Sequence, residues 1–285
     1  MMLGPQAEMC YLRCGPWEAC VLPSIGANLA YLKFEGKHVL QSYDAAQGNP
    51  LLFGTPILLP ANRTKDGVFS FRGKNYSLPI TDEAFHNHMH GYLMKRPFQV
   101  IYQDNSSIKC RYISTSDDYP FPFILTTEVV LSEESCHQKF SIENTGIEDF
   151  PIVFGLHTTF CEPNYIKIPI AKALTRDNRM IPTGILRALH EQEKMWADGA
   201  DDCHEPITGY FTASGNTAHI GTFQYQVSDG FDHWTLYNGG GGKGFLCVEP
   251  QAGRVNGLNS TDGHKMIPPK GYLEFETDIS ISKEI

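Results

Sequence analysis

The stretch that decides the fold reads Ala61-Asn62-Arg63-Thr64-Lys65-Asp66-Gly67-Val68-Phe69-Ser70-Phe71-Arg72-Gly73-Lys74-Asn75-Tyr76-Ser77-Leu78 and closes, eight residues on, with His86-Asn87-His88-Met89-His90-Gly91. Val68-Phe69-Ser70-Phe71 alternates out and in, with Phe69 and Phe71 on one face, and Gly67 and Gly73 bracket it. Period-2 alternation bounded by glycines predicts short antiparallel strands joined by tight turns. An arginine precedes this hairpin, and a histidine-rich run ends just before a glycine.

The same pattern extends outward in both directions. Turn residues recur at Gly26, Gly36, Gly48-Asn49-Pro50, Gly67, Gly73 and Gly91. Phe98 to Tyr102, Ile124 to Leu131 and Lys139 to Asn144 alternate, and Leu125, Thr127, Val129 and Leu131 share one face. Many short strands with regular turn signals predict an all-β protein, a large antiparallel β-sandwich, with residues 1–285 as one domain. The one helical segment expected is Gly184 to Trp196. Gly239-Gly240-Gly241-Gly242 reads as a long hairpin turn, because Lys243-Gly244-Phe245 opens a strand; a phosphate-cradling glycine loop opens a helix.

Composition narrows the function. The 285 residues carry a net charge of −9, which argues against nucleic acid or an anionic membrane as partner, since both want clustered Lys and Arg. The eight cysteines contain no Cys-x-x-Cys pair, so they read as free thiols of a reducing compartment. Met1 to Cys20 lacks the charged start and apolar run of a signal peptide. The longest apolar stretch, Leu51 to Leu59, is too short and too broken to span a membrane. The expected location is cytoplasmic.

The candidate chemistry lies at strand ends. Asn62-Arg63 follows Leu58-Leu59-Pro60-Ala61, and the guanidinium fork suits sugar hydroxyls. His86, His88 and His90 would share one face if extended. Together, or with His157, they admit a metal reading, although no Glu follows at the spacing that a cupin would show. His157 lies in the apolar run Phe154-Gly155-Leu156-His157-Thr158-Thr159-Phe160. Asp232 lies in Gly230-Phe231-Asp232-His233. Glu249 ends Phe245-Leu246-Cys247-Val248-Glu249, where a carboxylate is costly to bury unless it is paired or faces a cleft.

These motifs, in this order from about Gly26 to the C-terminus, resemble the aldose 1-epimerase (galactose mutarotase) family. Its wording is Ala-Asn-Arg-Ile, Gly-x-Phe, Gly-Lys-x-Tyr-x-Leu, Leu-His-Gly-Gly, Gly-Phe-Asp-His and Cys-Leu-Glu-x-Gln. The resemblance implies a galactose mutarotase-like supersandwich that interconverts the α and β anomers of a reducing sugar. It implies that Asn62, Arg63 and Asp232 bind the sugar, that Glu249 is the catalytic base and that His157 and His90 are pocket histidines; ring opening also needs an acid, and His157 is the expected one, with His90 hydrogen-bonding near the ring oxygen or C1. No cofactor or metal is expected. His86 and His88 are expected at the rim or in structural roles. The sequence departs from the family after Gly91: the family continues His-Gly-Gly into a Gly-Phe before a Trp, and here the chain runs Gly91-Tyr92-Leu93-Met94-Lys95-Arg96-Pro97-Phe98. Two other readings stand beside the isomerase: a non-catalytic carbohydrate-binding protein on the same scaffold, and a metal-dependent sugar isomerase or hydrolase built on the histidine cluster. For catalysis, an unperturbed Glu249 is expected to be ionised at neutral pH, and a nearby carboxylate is expected to raise the protonated fraction of His157.

Overall fold

The computed structural model describes residues 8–115, 119–201 and 203–283. Two large antiparallel sheets dominate it. The first runs, edge to edge, Gln99–Gln103, Ser107–Ile113, Phe123–Leu131, Ser135–Asn144, Tyr272–Ile281, Phe223–Val227, Thr217–Ile220 and Ile166–Lys167. The C-terminal strand Tyr272–Ile281 therefore lies in the middle of the sheet, between Ser135–Asn144 and Phe223–Val227. The second sheet runs Pro182–Ala188, Ile170–Arg176, Thr208–Ala213, His233–Tyr237, Phe245–Ala252, Phe154–Leu156 and Ile57–Leu58, and Thr159–Cys161 also pairs with Phe245–Ala252.

The alternation expected from the sequence is what packs these sheets. Along Phe123–Leu131, positions 123, 125, 127, 129 and 131 are buried and the residues between them are half-exposed. The inward rings meet those of the opposing sheet. Phe154 stacks on Phe275 at 4.7 Å between centroids, and Tyr225 meets Trp234 at 6.2 Å. Aromatic pairs of this kind contribute roughly 0.5–1.5 kcal/mol each beyond the area they bury. A meander of Cys10–Cys14, Trp17–Leu22, Asn28–Phe34 and Lys37–His38 docks through Trp17, whose ring contacts Phe34 and Phe223.

The expected helix is shifted. Pro182–Ala188 is an edge strand paired with Ile170–Arg176, and the helix is Glu191–Asp198. It starts where His190 and Glu193 form a capping box, satisfying backbone groups that an earlier start would leave without side-chain partners. Gly239 to Gly242 join His233–Tyr237 to Phe245–Ala252 with φ of 71, 92, 94 and 58°. Such a run is strained for any residue with a Cβ.

Candidate active site

Register across the second sheet places the site. Tyr210 pairs with Thr235, and Thr235 pairs with Glu249. These three side chains form a transverse row on the face away from the core, because Trp234, Leu236 and Val248, on alternate positions, are buried between the sheets. His157 completes the row. Its neighbour Thr158 turns the other way and hydrogen-bonds the buried Tyr225 hydroxyl at 2.9 Å. This bond fixes which way the segment faces, and His157 Nε2 comes to 3.4 Å from Glu249 Oε1, with both side chains at 6% exposure or less.

Residues 59–91 supply the remaining wall. The Ala61 N–H donates to the Val153 carbonyl, and the His90 N–H donates to the Asn62 carbonyl. Asn62 adopts a left-handed φ of 57° and accepts the Arg63 N–H at its own Oδ1. Gly91, at φ 66°, approaches so close to Leu59 that a Cβ would collide with the Leu59 carbonyl oxygen. With the backbone so fixed, the His90 ring stands nearly perpendicular to that of His157, at 5.3 Å between centroids. Arg63 is clamped: its Nε donates to Asp82 Oδ2 at 2.7 Å, and a terminal nitrogen donates to the Tyr210 hydroxyl at 2.8 Å. The Phe85 ring lies 5.5 Å from the guanidinium carbon.

Burial sets the protonation of this cluster. It pushes the Glu249 carboxyl up to about 8, against the opposing pull of the Gln251 amide and the Arg63 charge. It pushes His157 down to about 4. Burial, then the neighbouring His157, Arg63 and His88, hold His90 well below its ordinary range. The sequence led to the opposite expectation, an ordinary Glu beside a His with a raised pKa. The carboxylate is indeed beside the imidazole, but burial dominates the state of both groups. At neutral pH the pair holds one proton, and burial places it on Glu249. Three buried polar atoms here, His90 Nδ1, His157 Nδ1 and Gln251 Oε1, have no hydrogen-bond partner among the described residues. Each such group costs roughly 1–3 kcal/mol while it stays unsatisfied.

Asp232 sits at the end of the neighbouring strand, its N–H bonded to the Gln251 carbonyl. Its Oδ1 accepts the Gly253 N–H at 2.9 Å and lies 2.7 Å from His233 Nδ1, while its Oδ2 accepts from Lys265 Nζ at 2.6 Å. Burial alone would lift its pKa; the His233, Lys265 and Gly253 bonds outweigh that and hold it well below the usual carboxylate range.

The histidine run does not share a face. His86 and His90 have left-handed φ of 54 and 63°, so period 2 is broken on both sides of the strand Asn87–Met89. His86 is exposed. His88 is fully buried, with Nδ1 at 2.8 Å from the Pro79 carbonyl oxygen. Among the described residues, no three His, Cys, Asp or Glu side chains converge as metal ligands would. Arg96 of the departing segment lays its guanidinium 5.8 Å over the Tyr92 ring. Sequence reasoning missed Asp82, Tyr210 and Lys265. Period-2 alternation could have put Tyr210 on the face opposite Phe211, but no local signal marks the other two.

The comparisons with known proteins agree with this architecture. The chain spans about half the length of a curated relative it matches, the uncharacterized protein YihR of Escherichia coli K12: 29% identity over 151 residues, 51% of this chain and 48% of that protein. A crystal structure of a galactose mutarotase-like protein from Clostridium acetobutylicum superposes with a TM-score of 0.88 at 22% identity, covering 99% of this chain and 97% of that one. The GalM/aldose epimerase homologue from C. elegans gives 0.81 at 15% identity, covering 97% and 99%. At these identities the two structures establish the fold, the galactose mutarotase-like β-sandwich. The aldose 1-epimerase family model matches residues 18–200, and the chain belongs to the aldose 1-epimerase family.

Proposed function

We propose that the chain is a mutarotase that opens and recloses the hemiacetal ring of a reducing sugar, with Glu249 and His157 as the proton-transfer pair. The observation that carries this reading is the 3.4 Å contact between His157 Nε2 and Glu249 Oε1 inside a cluster of buried, unpartnered polar atoms. Two exchangeable groups at this separation can serve two oxygens on the same carbon, O1 and the ring oxygen O5 of the anomeric centre. From the resting neutral pair, the proton first passes from Glu249 to His157 Nε2 across the 3.4 Å contact; the Glu249 carboxylate then takes the O1 proton and the His157 imidazolium gives its Nε2 proton to O5. The C1–O5 bond breaks, the C1–O1 double bond forms, rotation about C1–C2 presents the other carbonyl face, and the reverse transfers close the ring.

The starting ion pair and the neutral pair that follows ring opening hold the same number of protons. Burial favours the neutral pair, so the site stabilises the ring-opened side of the transfer. Arg63 acts the other way, favouring the Glu249 carboxylate. The two influences keep both arrangements within reach, as a reversible step needs. His90, held neutral, can only orient oxygens by hydrogen bonding. Asn62 and Arg63 hold the sugar. Asp232, with its charge already committed to Lys265 and His233, anchors hydroxyls through its remaining acceptor capacity. General acid–base catalysis contributes about 10²–10⁴-fold per group.

The test is the rate of anomer exchange, by polarimetry of freshly dissolved α-glucose, α-galactose and α-xylose. The proposal expects acceleration of at least one aldose in proportion to protein concentration, undiminished by exhaustive chelation. No acceleration of any aldose, with sugar binding retained, would leave a carbohydrate-binding protein.

A further inference from the structure

The two carboxyl oxygens of Glu249 have different partners. Oε1 faces His157 Nε2 at 3.4 Å. Oε2 accepts from the side-chain amide of Gln251 at 3.5 Å. Gln251 stands two residues on in the strand Phe245–Ala252, so strand parity puts it on the face of Glu249. Its side chain is fully buried, and the proton transfers above give it no part. The packing around it is close. The backbone of Gln251 pairs with Gly155 on one side and His233 on the other, and its carbonyl accepts the Asp232 N–H. A Cβ at position 155 would stand 3.1 Å from Gln251 Cγ and 2.9 Å from Ala61 Cβ. Gly155 thus leaves the room that the glutamine stem occupies, and the stem carries the amide to the Glu249 oxygen that does not face His157.

We propose that Gln251 is a positioning residue for the proton transfer: its N–H holds Glu249 Oε2, so that the movable proton of the carboxyl sits on Oε1, in front of His157. A carboxyl oxygen that accepts an N–H bond cannot also point an O–H at that donor. With Oε2 so occupied, the neutral carboxyl carries its O–H on Oε1, and the proton can pass to His157 Nε2 with no prior rotation of the group. The terminal torsion of a glutamate is otherwise broad and two-fold, and an unheld carboxyl would spend part of its time with the proton on the oxygen away from the imidazole. After the transfer the same N–H supports the carboxylate left behind, against the effect of burial. One bond therefore serves both states of Glu249.

What the proton does rests on the mutarotase reading; where it is held does not. Gln251→Met keeps a buried stem of similar length and removes the amide. It is expected to lower kcat for anomer exchange about 10-fold with KM within about 2-fold of wild type. The alkaline limb of its kcat/KM profile should move above about 8, because the carboxylate has lost a donor. A glutamine that only fills space would lower activity at every pH and leave the limb in place, and that result overturns the proposal. So does a limb that moves below about 8, which would mean that the amide carbonyl accepts from the carboxyl and keeps the proton on Oε2. A second measurement needs no variant at Gln251. In nitrogen-15 NMR of the wild-type protein, one glutamine side-chain amide should shift with a midpoint near about 8 and stay still in Glu249→Gln. If no glutamine amide follows Glu249, the hold on Oε2 is overturned. If the amide follows Glu249 in a protein that exchanges no aldose, the mutarotase reading fails and the hold stands. Exchange that persists in Gln251→Met with the limb unmoved fails the hold and leaves the mutarotase reading intact.

Discussion

Two carboxylate–imidazole pairs, Glu249 of the strand Phe245–Ala252 with His157 and Asp232 with His233 at the start of the adjoining strand His233–Tyr237, are set to opposite states. Glu249 meets His157 at 3.4 Å with both side chains almost fully buried, and its carboxyl is pushed up to about 8. Asp232 meets His233 at 2.7 Å with 42% of its side chain exposed, and its carboxyl is held low by His233, Lys265 and the Gly253 N–H. The residue types are the same in kind. What differs is the number of donors that each carboxylate meets and the water it keeps. Asp232 is a fixed anion, suited to holding hydroxyls. Glu249, with only the distant Gln251 amide at 3.5 Å and the Arg63 charge to support ionisation, keeps a proton it can give and take.

The largest effect expected from this contrast is on exchange. Glu249→Gln and His157→Asn should each lower the anomer-exchange rate by at least about 10²-fold with sugar binding retained, and the double variant should cost less than the sum, since both groups act on one transition state. NMR exchange beside calorimetric binding reads both; a Glu249→Gln protein that exchanges at the wild-type rate removes the pair from the mechanism. Asp232→Asn should behave differently, weakening binding by about 10-fold with a smaller change in kcat. A kcat loss as deep as that of Glu249→Gln would erase the distinction between the two pairs.

The pH dependence sharpens the same point. The pair is competent while it holds one proton, so kcat/KM should form a bell with limbs near about 4 and about 8. A profile flat through pH 8 would mean that Glu249 works as an ordinary carboxylate. Stability should follow with the opposite sign at the two sites. Because the folded-state pKa of Glu249 is raised, the unfolded chain gives up its proton near 4.5 while the folded protein keeps it to about 8. Stability is thus lost as pH rises between those values, and Glu249→Gln should gain Tm over wild type from pH 5 to pH 8. Asp232, with its pKa depressed, stabilises above its ordinary 3.8 and loses that contribution as pH falls through its lower folded value. Asp232→Asn should therefore cost roughly 1 kcal/mol at pH 7, a modest figure because water screens a partly exposed pair. Thermal melts across pH 4–9 check both variants.

Much of the fold was legible because period-2 burial is a local property. Phe123–Leu131 and Val68–Phe71 fall where alternation puts them. The misplaced helix shows the limit: Gly184 to Trp196 reads as a helical segment, yet the free edge of Ile170–Arg176 recruits its first residues, to Ala188, as a strand. At the site, Glu249, His157, His90, Asn62 and Arg63 come together from well-separated stretches, and motif resemblance had singled them out. Their protonation was not legible, because desolvation belongs to the assembled interior and not to any stretch of chain. Nor were the clamps on Arg63, which come from 19 and 147 residues away, or Lys265, 33 residues from Asp232. Long-range partners leave no local pattern to read.

The central claim is that burial leaves Glu249 holding a movable proton at neutral pH while Asp232 stays ionised. Carboxyl carbon-13 NMR titration of protein labelled at Glu and Asp, with resonances assigned through Glu249→Gln and Asp232→Asn, measures it directly. The account predicts that Glu249 stays protonated through pH 7 and titrates near about 8, and that Asp232 remains ionised at pH 3. A Glu249 resonance that titrates near the ordinary 4.5 would contradict it.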